Sequence, residues 1–134
     1  MKKILIIMLS AAMFIGGRAE AAGQDPAASD NGAAPLWMRY PKISPDGSKI
    51  AFSYQGDIYY VPAAGGDAVR LTATDSYESQ PIWSNDSRTI AFVSDRFGGM
   101  DIFTVGIEGG KALRITTHSG TETPLAFSRD DRYI

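Results

Sequence analysis

Pro41-Lys42-Ile43-Ser44-Pro45-Asp46-Gly47-Ser48-Lys49-Ile50-Ala51-Phe52-Ser53 is echoed downstream by Pro81-Ile82-Trp83-Ser84-Asn85-Asp86-Ser87-Arg88-Thr89-Ile90-Ala91-Phe92-Val93. A third copy opens at Pro124 and runs through Phe127-Ser128-Arg129-Asp130-Asp131-Arg132-Tyr133-Ile134, so the chain stops inside a unit. The turn serines Ser44, Ser84 and Ser128 lie 40 and 44 residues apart. That period is typical of four-stranded blades in a repeat array. The longer interval has a visible origin: Ser53-Tyr54-Gln55-Gly56-Asp57 becomes Ser94-Asp95-Arg96-Phe97-Gly98-Gly99-Met100-Asp101, a longer hairpin between the same two strands. Beyond it the register holds. Asp57-Ile58-Tyr59 maps to Asp101-Ile102-Phe103, Gly65-Gly66 to Gly109-Gly110, and Arg70-Leu71-Thr72 to Arg114-Ile115-Thr116, each shifted by 44 residues.

Each unit reads as strands and turns with a local cause. Pro41 to Ser44 is a short strand. Ser44-Pro45-Asp46-Gly47 reverses the chain, because Pro presets φ, Asp bonds a nearby backbone N–H, and Gly accepts positive φ. Lys49 to Tyr54 alternates, Gln55-Gly56 makes a tight hairpin, Asp57 to Val61 returns, and Ala68 to Thr72 supplies the fourth strand. Such a sheet carries apolar side chains on both faces, Ile50, Phe52, Ile58, Tyr60 and Val61 among them. Only stacking against neighbouring blades hides both, which is why such units form rings. The expected fold is therefore all-β, an incomplete β-propeller of four-stranded antiparallel blades with about two and a half blades present. An open blade face and open strand edges predict poor stability and a tendency to associate for this piece alone.

The 134 residues carry 44% hydrophobic residues and a formal net charge of −2, ordinary values for a globular chain. Lys2 and Lys3, the apolar run from Ile4 to Ile15 and the small residues Ala19-Glu20-Ala21-Ala22 read as a secretory signal peptide over residues 1–22, cleaved near Ala21 or Ala22. The run is too short for a membrane-spanning helix. The expectation is an exported protein, periplasmic or extracellular, with no membrane association after cleavage. Cleavage removes Lys2, Lys3, Arg18 and Glu20 and takes the net charge to −4. The remaining Lys and Arg are dispersed, which disfavours nucleic acid as a partner. Residues 23–39 read as a flexible Ala/Asp/Gly/Pro leader and 40–134 as the blades, with the folded part starting near Leu36-Trp37. The absence of Cys removes disulfides, thiolate metal sites and cysteine nucleophiles.

The candidates for chemistry weigh towards structure. His118 is the only histidine and sits in a Thr/Ser/Gly-rich loop with no partner fixed by spacing. Asp46, Asp86 and Asp130 recur where a β-turn wants an acceptor. Asp95, Asp101, Gly98 and Gly99 suggest calcium only superficially, lacking the ligand spacing of an EF-hand loop. Gly65-Gly66 and Gly109-Gly110 join strands and precede no helix, so they are turns and not a phosphate cradle. Trp37, Trp83, Tyr59, Tyr60 and Phe103 fall at strand positions where packing between blades is the default. The expected catalytic, cofactor and metal residues within this chain are none, and the chain alone should hydrolyse nothing.

The pattern Ile43-Ser44-Pro45-Asp46-Gly47-Ser48-Lys49-Ile50-Ala51-Phe52, with Gly56-Asp57-Ile58-Tyr59 and Gly65-Gly66, resembles the WD40-like PD40 blades of TolB, tricorn-type proteases and prolyl-oligopeptidase relatives. Pro35-Leu36-Trp37-Met38-Arg39-Tyr40-Pro41 and Arg114-Ile115-Thr116-Thr117-His118-Ser119-Gly120 further resemble the start of exported bacterial S41-family peptidases of tricorn type. That resemblance implies a long serine peptidase whose N-terminal propeller filters or docks substrate, ahead of a second propeller, a PDZ domain and a catalytic domain. It implies peptide or protein substrates and the downstream domains of the same chain as partners, and it is compatible with a homo-oligomeric parent. The second copy departs from the motif with Asn85-Asp86-Ser87 and the third with Arg129-Asp130-Asp131, changes a turn tolerates. The alternative is a non-enzymatic TolB-like periplasmic propeller that binds protein partners, although TolB-like chains place a small α/β domain first. A prolyl-oligopeptidase-type peptidase would need a Gly-x-Ser-x-Gly elbow and an amidohydrolase a His-rich metal motif; neither occurs in these residues.

Overall fold

The computed structural model describes residues 37–134. The signal-peptide reading over 1–22 and nearly all of the leader reading over 23–39 lie outside the described residues. Eight strands follow: β1 (Arg39–Ile43), β2 (Lys49–Tyr54), β3 (Asp57–Pro62), β4 (Val69–Arg70), β5 (Glu78–Trp83), β6 (Thr89–Ser94), β7 (Asp101–Gly106) and β8 (Leu113–Arg114). They form two four-stranded antiparallel sheets, ordered β1-β2-β3-β4 and β5-β6-β7-β8, each a meander in sequence order. This is the all-β, blade-by-blade architecture that the repeat predicts.

The registers of the two sheets match pair for pair. Tyr54 pairs with Asp57 across a two-residue hairpin, and Ser94 pairs with Asp101 across a six-residue one. In the short hairpin Gln55 and Gly56 both have positive φ, 51° and 88°, the two-residue turn whose twist suits a hairpin. The innermost strand of each blade carries one extra residue: Arg39 pairs with Ser53 but Lys42 with Ala51, and Ser79 pairs with Val93 but Ile82 with Ala91. Tyr40 and Gln80 take the left-handed conformation there, at φ 55° and 54°. Each precedes a proline, and a residue without an N–H costs the ladder nothing where pairing is already interrupted. The first strand therefore starts at Arg39, two residues earlier than Pro41, because the bulge lets pairing resume beyond the proline.

The fourth strands are shorter than the sequence suggests. Val69–Arg70 and Leu113–Arg114 pair for two residues each, after which a threonine side chain continues the ladder. Ile58 N–H donates to Thr72 Oγ1 and Ile102 N–H to Thr116 Oγ1, both at 2.9 Å. These bonds close the end of the β3–β4 and β7–β8 pairings, and the outward edge of each blade is a strand of only two residues, which leaves little for another strand to pair with.

The blades pack face to face. One side of the second blade presents Trp83, Ile90, Phe92, Phe103 and Val105 to Ala51, Ile58 and Leu71 of the first in one buried cluster. Its other side gathers Ile82, Ala91 and Ile102 against Phe127 of the third copy. Ala51 and Ala91 occupy the same blade position and are both fully buried; a methyl group there lets the next sheet approach closely. The Trp83 indole N–H donates to Lys42 O at 2.9 Å, tying the inner strands of the two blades together.

Candidate binding surface

The turns that begin each unit are held by their own aspartates. Asp46 Oδ1 accepts from Ser44 Oγ at 2.5 Å, Ser48 N–H at 2.9 Å and Ser48 Oγ at 2.8 Å. These bonds, led by the one from Ser44, pull the Asp46 carboxyl down to about 2. Asp86 accepts from Ser84 Oγ at 2.6 Å and Arg88 N–H at 2.9 Å, and Asp130 from Ser128 Oγ at 2.8 Å. One function recurs three times: each carboxylate closes a reversal on itself.

A second set of bonds joins one turn to the next blade. The first blade's Gly47, at φ 71°, corresponds to Ser87 at φ 60° and Asp131 at φ 57°. Asp46 N–H donates to Ser87 Oγ at 3.2 Å. Asn85 N–H and Asp86 N–H donate to the Asp131 carboxylate at 2.7 and 2.9 Å, and Asn85 Nδ2 donates to it at 2.6 Å. Capture of the Asn85 backbone N–H is the main reason that the Asp131 carboxyl is held below its ordinary value. The apparent loss of a turn glycine is therefore a gain: a side chain in the left-handed position reaches back and clasps the preceding blade. The sequence marks these positions only as departures from a motif, since the partner lies 41 or more residues away.

At the opposite end of the blades, carboxylates pair with arginines in a repeating scheme. Arg70 Nη2 lies 2.5 Å from Asp57 Oδ2 and Arg114 Nη2 lies 2.7 Å from Asp101 Oδ2, both aspartates being buried. Glu78, fully buried at the start of β5, pairs with Arg96 and accepts from Thr74 Oγ1 at 3.0 Å. Arg96 also lies over the Phe103 ring, 4.4 Å from its centroid. The joint shift of Asp57/Arg70 to Asp101/Arg114 by 44 residues was the signal in the sequence that could have revealed these pairs.

The same end carries exposed Trp37, Tyr77 and Phe97. Trp37, Arg39, Tyr77, Gln55 and Asp75 line a cleft of about 420 Å³, with the Arg39 guanidinium 5.7 Å from the Trp37 ring. A second cavity, about 430 Å³, lies beside the long hairpin and is lined by Phe97, Asp101, Arg114, His118 and Ser119. His118 Nδ1 there accepts from Gly120 N–H at 3.0 Å. Asp95 points elsewhere, accepting from Tyr77 N–H at 2.8 Å, so it and Asp101 serve separate bonds. Among the described residues no three His, Cys, Asp or Glu side chains converge as metal ligands would. Of the remaining aromatic candidates, Trp83 and Phe103 are buried between blades, Tyr60 packs on that core and Tyr59 stacks on Phe52.

Two bulged, clasped four-stranded meanders stacked face to face define part of a β-propeller. Residues 35–134 match the family described as the Tricorn protease N-terminal beta propeller domain, and the chain belongs to that family. It is 34% identical to the Tricorn protease homolog 1 of Streptomyces coelicolor over 76 residues, covering 57% of this chain and 7% of that protein. The structure of a putative TolB from Agrobacterium tumefaciens superposes with a TM-score of 0.63 at 30% identity, over 68% of this chain and 34% of that one. The crystal structure of the tricorn protease superposes with a TM-score of 0.62 over 73% of this chain and 10% of that one; at 22% identity this likeness shows the fold.

Proposed function

We propose that this chain is the N-terminal propeller portion of an exported serine peptidase of tricorn type, and that its blades dock peptide substrates on their way to catalytic residues elsewhere in the parent. The observation that carries this reading is the family match over residues 35–134. The open blade end supports it, because exposed Trp37, Tyr77 and Phe97 lie beside Arg39, Asp75 and Arg114, a mixture of aromatic faces and charges suited to short peptides. Export rests on Lys2, Lys3, the apolar run Ile4 to Ile15 and the small residues at Ala21 and Ala22. Catalysis would need a nucleophile and base in hydrogen-bond reach, and His118 spends Nδ1 on its own loop. The decisive experiment is to express the intact parent and the 134-residue chain side by side on a peptide mixture. Hydrolysis by the parent that a serine-directed inhibitor blocks, with none from the short chain, is the expected result; a parent that cleaves nothing overturns the reading.

A second reading has its own support in the 30% identity to the putative TolB structure. In that case the blade end recognises a folded protein and no peptidase activity accompanies it. Co-purification of the tagged parent with a stoichiometric protein partner, without peptide turnover, would favour this reading.

A further inference from the structure

Trp37 and Tyr77 occupy the same position in successive units, 40 residues apart, and Thr121 holds it in the third. Their side chains are 64% and 41% exposed and line one cleft of about 420 Å³ together with Arg39, Gln55, Gly56 and Ser76. The fold does not need this opening. Glu78 N–H donates to Gly56 O at 2.8 Å and Glu122 N–H to Met100 O at 2.9 Å, so Met100 stands in the second blade where Gly56 stands in the first. There the longer hairpin overhangs the junction, with Gly99 against the carbonyls of His118 and Gly120. Only the two-residue hairpin of the first blade leaves the space open, and it leaves it between two exposed aromatic rings. The wall is set before any ligand arrives. Tyr77 N–H donates to Asp95 Oδ1 at 2.8 Å, Tyr77 O accepts from Asp95 N–H at 3.3 Å, and the ring runs past Gly56, where a Cβ would lie 3.8 Å from Cδ2.

Those bonds also decide what the cleft can hold. The Tyr77 N–H and carbonyl and the Gly56 carbonyl are already taken, so a ligand strand finds no ladder edge along this wall. What the wall still offers is side-chain donors: the Arg39 guanidinium, 5.7 Å from the Trp37 ring and outside the ion pairs of the described residues, with the indole N–H and the Tyr77 hydroxyl. Such donors suit a ligand rich in carbonyls and poor in N–H groups. We propose that this cleft docks a proline-rich peptide segment in the polyproline II conformation, with proline rings against Trp37 and Tyr77 and carbonyls accepting from Arg39. Proline brings an apolar ring and no N–H. The conformation already exists in the free peptide, so little ordering entropy opposes docking on aromatic faces. Asp75 also lines the cleft outside the ion pairs and receives a basic residue beside the prolines.

The proposal rests on reading the propeller as a peptide-docking surface, and the experiment separates the two. Hexaproline followed by lysine, and hexaalanine followed by lysine, each carrying fluorescein at the N-terminus and an amide at the C-terminus, are titrated with the 134-residue chain at high dilution and followed by anisotropy. The proline peptide should bind at least about tenfold more tightly than the alanine one. Trp37→Ala and Tyr77→Ala should each weaken the proline peptide about tenfold or more, the loss expected of an aromatic anchor. Tyr133→Ala, which removes an exposed ring remote in sequence from the cleft, should leave binding unchanged. Should either cleft variant fail to fold by circular dichroism, the contrast between the two peptides on the unaltered chain still decides. Equal affinity for both peptides overturns the choice of proline while leaving peptide docking standing, and binding of neither overturns both. Proline-peptide binding that survives both cleft variants overturns the site. Cellohexaose competing as well as the unlabelled proline peptide assigns the cleft to a glycan and overturns the proposal.

Discussion

A single position, occupied by Gly47, Ser87 and Asp131 in successive units, shows how a turn residue can serve two blades at once. Left-handed backbone favours glycine, and a non-glycine residue there is strained unless something else compensates. Ser87 and Asp131 are compensated by the backbone N–H groups they capture from the blade before. Ser87→Ala keeps the strain and loses the acceptor, so it should destabilise by about 1 kcal/mol in urea unfolding, and Ser87→Gly by less, because glycine relieves the backbone. Asp46 and Asp131 give the acid response its sign. Both carboxyls sit below their ordinary value of 3.8 in the folded chain, Asp46 at about 2. Their contribution is therefore complete above the unfolded value and is lost as pH falls through the folded one. The melting temperature should drop between about pH 4 and pH 2, and Asp131→Asn should flatten part of that drop; an unchanged profile in the variant would remove Asp131 from the clasp.

Among the elements, the inner strands and the sheet faces carry the stability of the stack. Phe92 and Phe103 stack at 5.9 Å between centroids inside the buried inter-blade cluster, and Phe92→Ala should cost about 3–5 kcal/mol in chemical unfolding. Ala51→Leu tests close approach from the other side, since added volume at a fully buried alanine between sheets should cost about 1–3 kcal/mol. The sequence shows these elements clearly where a side-chain period or a turn residue dictates them: Gln55-Gly56, the alternation of Lys49 to Tyr54, and the extra length at Arg96 to Met100 are all legible. It is silent on the bulges at Tyr40 and Gln80, because nothing local distinguishes a proline that starts a strand from one that interrupts it. It overstates the fourth strand, since the threonine that ends it mimics a ladder bond with its side chain. The carboxylate–arginine pairs and the clasps escaped for a different reason. The pairs form across the strands of one blade, Asp57 with Arg70 and Glu78 with Arg96 lying 13 and 18 residues apart, and the clasps form between stacked blades, 41 or more residues apart, so neither leaves a local turn or period to read.

At the scale of the molecule, a sheet that is apolar on both faces must find a neighbour for each. The described residues leave Leu113, Ile115 and Leu125 exposed, Leu125 at 88%, on a surface with no sheet packed over it. The 134-residue chain should therefore self-associate as its concentration rises, which sedimentation velocity over a hundredfold dilution series would reveal; a monomer across that series would show that these side chains find cover otherwise. The blade pattern was readable because repetition multiplies a weak local signal, whereas the clasps at Ser87 and Asp131 became visible only once the blades were stacked. The hairpin that differs between them has a wider meaning. Six residues replace two between Ser94 and Asp101 without moving a single strand pairing. Chain length at that tip is uncoupled from the sheet behind it, so a blade can carry a new loop surface there while its strands keep their partners.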